Sequence, residues 1–179
     1  VDLLKNNFLL DFNLYIDLIG YIAIVFSIIS FLSKDKVKMR LNGAISTLLF
    51  GISIYFYNGV NGLFVSIVSF SIKILSLNIK EEKLKSIKII MPFVALFFFF
   101  FFNKEGLVGI LPAISLIFIA FADIQKDILK MKIIYYGSAF SWLIYGIILG
   151  SIPAIIFDII GIITLTISIY NLKKIKGNK

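Results

Sequence analysis

The sequence predicts an all-α, polytopic membrane protein with seven transmembrane helices arranged as three, one and three. Long apolar runs separated by short charged gaps, basic residues gathered in alternate gaps, and an apolar segment that recurs in the second half point there. Hydrophobic residues make up 60% of the 179, with a mean hydropathy of +1.01. One soluble core of that length cannot hide so much apolar surface, which makes lipid the expected solvent.

The opening segment, Val1 to Phe12, is too short and polar to span. It has neither a basic leader nor a small-residue cleavage pattern, so it is expected at the interface, and the missing initiator Met leaves room for residues ahead of Val1. Seven runs follow: Ile16–Ser33, Leu41–Tyr57, Val60–Leu77, Ile89–Phe102, Gly106–Ile124, Ile133–Leu149 and Ile152–Leu172. The first, of about eighteen residues, is near the lower limit for crossing about 30 Å of hydrocarbon. Asn58-Gly59 and Gly150-Ser151 are turn signals. The fourth run carries Phe97 to Phe102, which suits lipid contact or packing.

Charge supplies an orientation. Of 18 Lys and Arg, four lie in Lys34–Arg40, four in Asn78–Lys88, three in Gln125–Lys132 and four after Leu172. The opposite side has only Lys5 and Lys104, while Lys73 sits inside a run. Because cations collect on the cytoplasmic side, the N-terminus is expected outside and the C-terminus in the cytoplasm. The net charge of +8 therefore reads as membrane flanks, and no nucleic-acid partner is expected. The chain has no Cys and no His, and it lacks an acidic pair at metal-ligand spacing and a Gly-rich phosphate loop. No cofactor, metal site or enzymatic activity is expected.

A shift of 92 positions places Ser46 on Ser138, Phe50 on Trp142, Ser53 on Tyr145, Asn58 on Gly150 and Ser66 on Asp158. Earlier in each half, Leu18-Ile19-Gly20 matches Leu107-Val108-Gly109 at a shift of 89. A three-helix unit ends on the side opposite its start, so one linking crossing lets the second copy enter in the same sense. The predicted layout is an interfacial segment 1–15, repeat one 16–78, a loop and linker helix 79–105, repeat two 106–172 and a basic tail 173–179.

Asp158 is the expected centre of function. It lies about six residues, roughly 9 Å of rise, into its helix. An ionised Asp near mid-membrane costs about 2.5–3.5 kcal/mol on insertion scales, so it faces protein or water. It either binds a cation or amine, carries a coupling proton, or bonds a hydroxylated solute; the alternative is a structural interhelical bond. Ser46 and Phe50 on one second helix, and Ser138, Trp142 and Tyr145 on the other, form polar and aromatic stripes that either line a solute path or pack. Lys73, near its helix end, is expected to snorkel to the headgroups.

The segment Trp142 to Gly161, WLIYGIILGSIPAIIFDIIG, resembles the second and third helices of SWEET and SemiSWEET transporters. From about Leu18 to Lys174 the chain resembles the YgjV family of bacterial inner-membrane proteins, on its basic first loop, Ile110-Leu111-Pro112, Ser138, Trp142, Gly150-Ser151-Ile152 and Asp158. The resemblance implies two parallel SWEET-like triple-helix repeats around a pocket walled by Phe50, Trp142, Ser66 and Asp158. The sugar-transporter pattern has a neutral amide where Asp158 stands, and its PQ signature is absent here. The expected substrate site is Ser46, Phe50, Ser66, Ser138, Trp142, Tyr145 and Asp158. The partners are the lipid bilayer and a small polar solute moved by alternating access, with proton or cation coupling. A non-transporting receptor or accessory protein on the same scaffold is the alternative.

Overall fold

A computed structural model describes residues 2–78, 81–125 and 127–177. Seven α-helices follow in order: α1 (Asp2–Leu32), α2 (Lys36–Phe56), α3 (Val60–Asn78), α4 (Glu81–Phe102), α5 (Ile110–Ile124, after a 3-10 turn Gly106–Gly109), α6 (Ile128–Leu149) and α7 (Ile152–Gly177). No strand occurs among the described residues. Six of the helices are long and apolar enough to cross a membrane, whereas the apolar part of α4, Ile89–Phe101, is shorter.

Val1, Ile79, Lys80, Lys126, Asn178 and Lys179, which belong to the segments read as interfacial, loop and tail, lie outside the described residues. The helix that carries the first run extends back without a break to Asp2. The second and sixth helices begin earlier than the apolar runs suggest, at Lys36 and Ile128. Their starts are set by Asp caps: Asp35 Oδ1 accepts the Val37 N–H at 2.7 Å, and Asp127 Oδ1 accepts the Leu129 N–H at 2.8 Å. A carboxylate there satisfies an amide that the first turn leaves open. The basic gaps are therefore helical first turns.

The polarity of the bundle is that of a protein dissolved in lipid. Ile22, Val25 and Ile29 on α1 and Ile159, Ile163 and Ile167 on α7 point outward, as do Phe93, Phe97, Phe100 and Phe101 of α4. Ser27, Ser46, Ser53, Ser66, Ser69, Ser115, Ser138 and Asp158 are buried. Polar groups face the bundle interior because hydrocarbon offers them no partner.

Neighbouring helices close a ring. α1 packs on α2, α2 on α3, α5 on α6, α6 on α7 and α7 on α1, while α4 lies between α3 and α5. Hydrogen bonds identify the two ends. At one, Tyr57 donates to Asp17 at 2.6 Å and the Asn61 amide donates to Glu105 at 2.8 Å, which gathers the middle of α1, the end of α2, the start of α3 and the turn that leads into α5. At the other, Arg40 reaches the Ser76 carbonyl at 3.3 Å and Lys132 donates to the Phe31 carbonyl at 2.8 Å. We call these the acidic and the basic end. The helix α4 runs from the basic end to the acidic end, so α5 starts at the end where Asp17, midway along α1, meets Tyr57.

Two hairpin turns at the acidic end share one geometry. Asn58 between α2 and α3 has φ 63°, and Gly150 between α6 and α7 has φ 68°. The left-handed residue lets the chain leave a helix with its last carbonyls satisfied, and Asn and Gly tolerate it best. Close approaches also come in pairs. A Cβ on Gly20 would meet Pro153, and one on Gly109 would meet the Asn61 side chain, so the first helix of each half touches the start of the third helix of the other.

Candidate functional site

The middle of the ring encloses a cavity of about 80 Å³. Its lining runs from Met39 to Phe50 on α2, Ser66 to Lys73 on α3, Met131 to Trp142 on α6 and Phe157 to Gly161 on α7, with α1 and α5 completing the wall. These stretches surround the middle of the bundle: Phe157 to Gly161 lies in the half of α7 nearer the acidic end, while Met39, Lys73 and Met131 lie nearer the basic end. Ser46, Phe50, Ser66, Ser138, Trp142 and Asp158 all contribute to that wall. Tyr145 does not.

Toward the acidic end an aromatic layer closes the cavity. Phe50 meets Trp142 edge to face, with centroids 5.2 Å apart, and packs at 4.4 Å on Phe157. Trp142 in turn meets Tyr145 at 5.6 Å. Offset and T-shaped pairs of this kind favour one arrangement of the rings beyond the area they bury. Tyr145 lies one step past this layer, fully buried, and donates to Glu105 at 2.7 Å while accepting the Gly62 N–H at 3.2 Å. Glu105 also accepts from the Asn61 amide, and Asn103 bonds the Asn61 side chain at 2.6 Å. This polar plug ties α3, α6 and the start of α5 together above the aromatic layer. Glu105 and Asn103 read as loop residues in the sequence, and nothing in their spacing signals partners some forty residues away.

Beneath the aromatic layer the cavity wall is polar and incompletely bonded. Asp158 is 3% exposed and its Oδ2 has no hydrogen-bond partner among the described residues. The hydroxyls of Ser27, Ser66 and Ser69 are likewise buried without a partner. Ser46 and Ser138 are satisfied by their neighbours, Ser46 by the Ala23 carbonyl at 2.9 Å and Ser138 by Ser115 at 2.7 Å. These two serines join the second helix of each half to its first. An unpaired buried carboxylate oxygen and three unpaired hydroxyls around one space make that space a place for polar atoms.

Cations mark the basic side. Lys73 is buried, against the expectation that it snorkels: its ammonium donates to Thr47 Oγ1 at 2.6 Å and to the Gly43 carbonyl at 3.3 Å. The Gly43 carbonyl and the Thr47 hydroxyl on α2 give the amine partners inside the bundle, which is why it turns inward. Lys132, which reads as a loop charge, is 1% exposed and donates to the Phe31 and Ser33 carbonyls and to Ser168. Its charge sits on the open carbonyls of the α1 C-terminus, where the helix dipole favours a cation. Asp123 accepts the Tyr135 O–H at 2.9 Å on the same side. Among the described residues no group of three or more acidic side chains is placed to hold a metal ion.

Six spanning helices and an inward polar wall describe a multi-pass membrane protein. No curated protein and no solved structure matches the chain. Residues 14–176 match the family Imp-YgjV, described as bacterial inner membrane protein, and the chain belongs to that family.

Proposed function

We propose that the chain carries a small polar solute across the inner membrane by alternating access between two parallel SWEET-like triple-helix repeats, α1–α3 and α5–α7. In this reading α4 is a seventh crossing that lets the second repeat enter in the same sense. The paired turns at Asn58 and Gly150, the paired caps at Asp35 and Asp127, and the reciprocal contacts of Gly20 and Gly109 support the repeat. The same shift of 92 that joins Ser66 to Asp158 joins Asp35 to Asp127. The N-terminus lies outside and the C-terminus inside, because the basic end belongs in the cytoplasm.

The observation that carries the proposal is the partnerless oxygen of Asp158 in a cavity walled by both halves. A bundle that keeps an acid in its interior without a structural partner holds it for a ligand or a coupling proton. The aromatic layer and the Tyr145–Glu105 plug serve as the outer gate, closed in this conformation, with the cavity reaching toward the cytoplasm. Rocking of one repeat against the other exchanges that closure for one at Lys73 and Asp123.

Uptake into proteoliposomes tests this with sugars, amines, amino acids and vitamin precursors offered in turn to wild type, Asp158→Asn and Trp142→Ala. At least one class is expected to enter with wild type; Asp158→Asn reduces its rate about tenfold, the effect of losing a buried bond to a charged group, and Trp142→Ala lowers it by opening the aromatic wall. Equal flux in all three proteins sinks the site. A cavity closed on one side by an aromatic layer also fits a receptor on this scaffold, and that second reading gains if wild type binds a solute and moves none.

A further inference from the structure

The two ends of the cavity differ in charge. Asp158 stands without a partner at the deep end, where the unpartnered Ser66 hydroxyl also lines the cavity. Lys73 and Arg40 line the other end with Asp123, whose Oδ1 is engaged by Tyr135. A ligand that satisfies both ends is positive where it meets Asp158 and negative where it meets Lys73. Lys73 uses two of its three N–H donors on Thr47 and Gly43, which leaves one for such a group.

The offset along the bundle axis and the volume bear on the size of that ligand. Ser66 and Asp158 each lie six residues into their helices, counted from Val60 and Ile152 at the acidic end. A Cβ on Gly51 would strike Ser66, so Thr47, which holds the Lys73 amine, is one turn or about 6 Å nearer the basic end. Lys73 itself is seven residues, about 10 Å, beyond Ser66. An ammonium and a carboxylate on one carbon, with a charge-assisted bond of about 2.8 Å at each end, bridge about 8 Å. At 10–15 Å³ for each water-sized position, the 80 Å³ cavity holds roughly five to eight non-hydrogen atoms.

We propose that the cavity binds a small zwitterion, an α-amino acid of the size of glycine, alanine or serine, with its ammonium on Asp158 and its carboxylate on Lys73. The inference rests on reading this cavity as a solute site and names the class of solute. Ser27, Ser66 and Ser69 supply the hydroxyls that complete the ammonium and side-chain contacts.

The sole tryptophan reports on this directly, because Trp142 lines the cavity. Purified wild type in detergent is titrated with L-alanine, with ethylamine (alanine without its carboxylate), with propionate (alanine without its amine) and with glucose. Alanine is expected to change Trp142 emission saturably, with ethylamine and propionate each needing about tenfold more or higher. Asp158→Asn and Lys73→Gln are each expected to raise the alanine half-saturation by a similar factor. Ethylamine as effective as alanine, glucose more effective, or no response to any of the four overturns the proposal, and the wild-type series decides this even if a variant misfolds. Alanine binding without alanine uptake by proteoliposomes sinks the transport reading and leaves this one standing. Uptake of a sugar without alanine binding does the reverse.

Discussion

Tyr145 on α6 gives its O–H to Glu105, which precedes α5, at 2.7 Å and takes the Gly62 N–H of α3 on the same oxygen. Three segments far apart in the chain meet on one phenol that solvent does not reach. Tyr145→Phe keeps the ring against Trp142 but leaves the Gly62 amide and one Glu105 oxygen short of a partner. Thermal unfolding in detergent is expected to show a loss of about 1–3 kcal/mol. An unchanged midpoint refutes the plug.

At the same end, burial first and then the Asp17 carboxylate beside its O–H hold the Tyr57 phenol well above its ordinary value of 10.0. The folded protein thus favours the neutral phenol more than the unfolded chain does. That contribution is fully present below pH 10 and is lost as pH rises through the folded value. Between about pH 10 and 12 the unfolding midpoint of wild type is expected to fall more steeply than that of Tyr57→Phe. Other tyrosines titrate in both proteins and cancel in the comparison. Parallel curves count against the Asp17 bond.

Helices α2 and α3 pack closely where Gly51 faces Ser66, and a methyl at Gly51 has no space beside the Ser66 side chain. Gly51→Ala is expected to destabilise the bundle by about 1–3 kcal/mol through overpacking. Ser66→Gly in the same chain removes the obstruction and recovers part of that loss. The pair is measured by thermal unfolding of both single variants and the double variant. Additive losses rule out a shared contact.

How much of this was legible depends on the range of the interactions. Ser46, Phe50, Ser66, Ser138, Trp142 and Asp158 meet in one cavity because helical period and the repeat, both readable in a linear string, set their faces and heights. Tyr145 is three residues past Trp142, close to one turn toward the acidic end, and that step carries it out of the cavity into the plug. The signal for the early starts of α2 and α6 was present as Asp35 and Asp127, and it was masked by the Lys-rich turns that follow. The inward turn of Lys73 and Lys132 was not legible. A long cationic side chain reaches headgroups or carbonyls equally well, and only the placement of Thr47, Gly43 and the α1 C-terminus decides between them. The fourth helix illustrates the limit of run length: Ile89–Phe101 is short for lipid, yet Asn103 and Glu105 anchor its far end at the acidic side.

Orientation can be read chemically because the chain contains no cysteine. Lys34→Cys at the basic end and Lys104→Cys at the acidic end each introduce a single thiol, and both positions are exposed. In intact cells whose outer membrane has been permeabilised, an impermeant maleimide is expected to label the second variant and spare the first. Lysis makes both reactive. Labelling of Lys34→Cys in intact cells inverts the proposed topology, because the basic end then faces outward.

Ser66 and Asp158 occupy matching places, six residues into α3 and α7, on opposite sides of the cavity. If the two halves are related by an axis through that cavity, the acid has no inherent need to sit on α7. Asp158→Ser alone is expected to lower solute uptake or binding about tenfold, since the ligand loses its only charged partner at the deep end. Adding Ser66→Asp returns a carboxylate to the same depth from the facing wall, where Ser66 Oγ is also buried without a partner. The double variant is expected to regain a substantial part of the lost activity with a reoriented ligand, whereas Ser69→Asp, one turn nearer Lys73, does not, because its carboxylate pairs with that ammonium. Recovery by Ser66→Asp and not by Ser69→Asp makes depth along the axis, rather than the identity of the helix, the property that the site requires. Equal failure of both separates Asp158 from its counterpart and leaves the two halves structurally alike but functionally unequal.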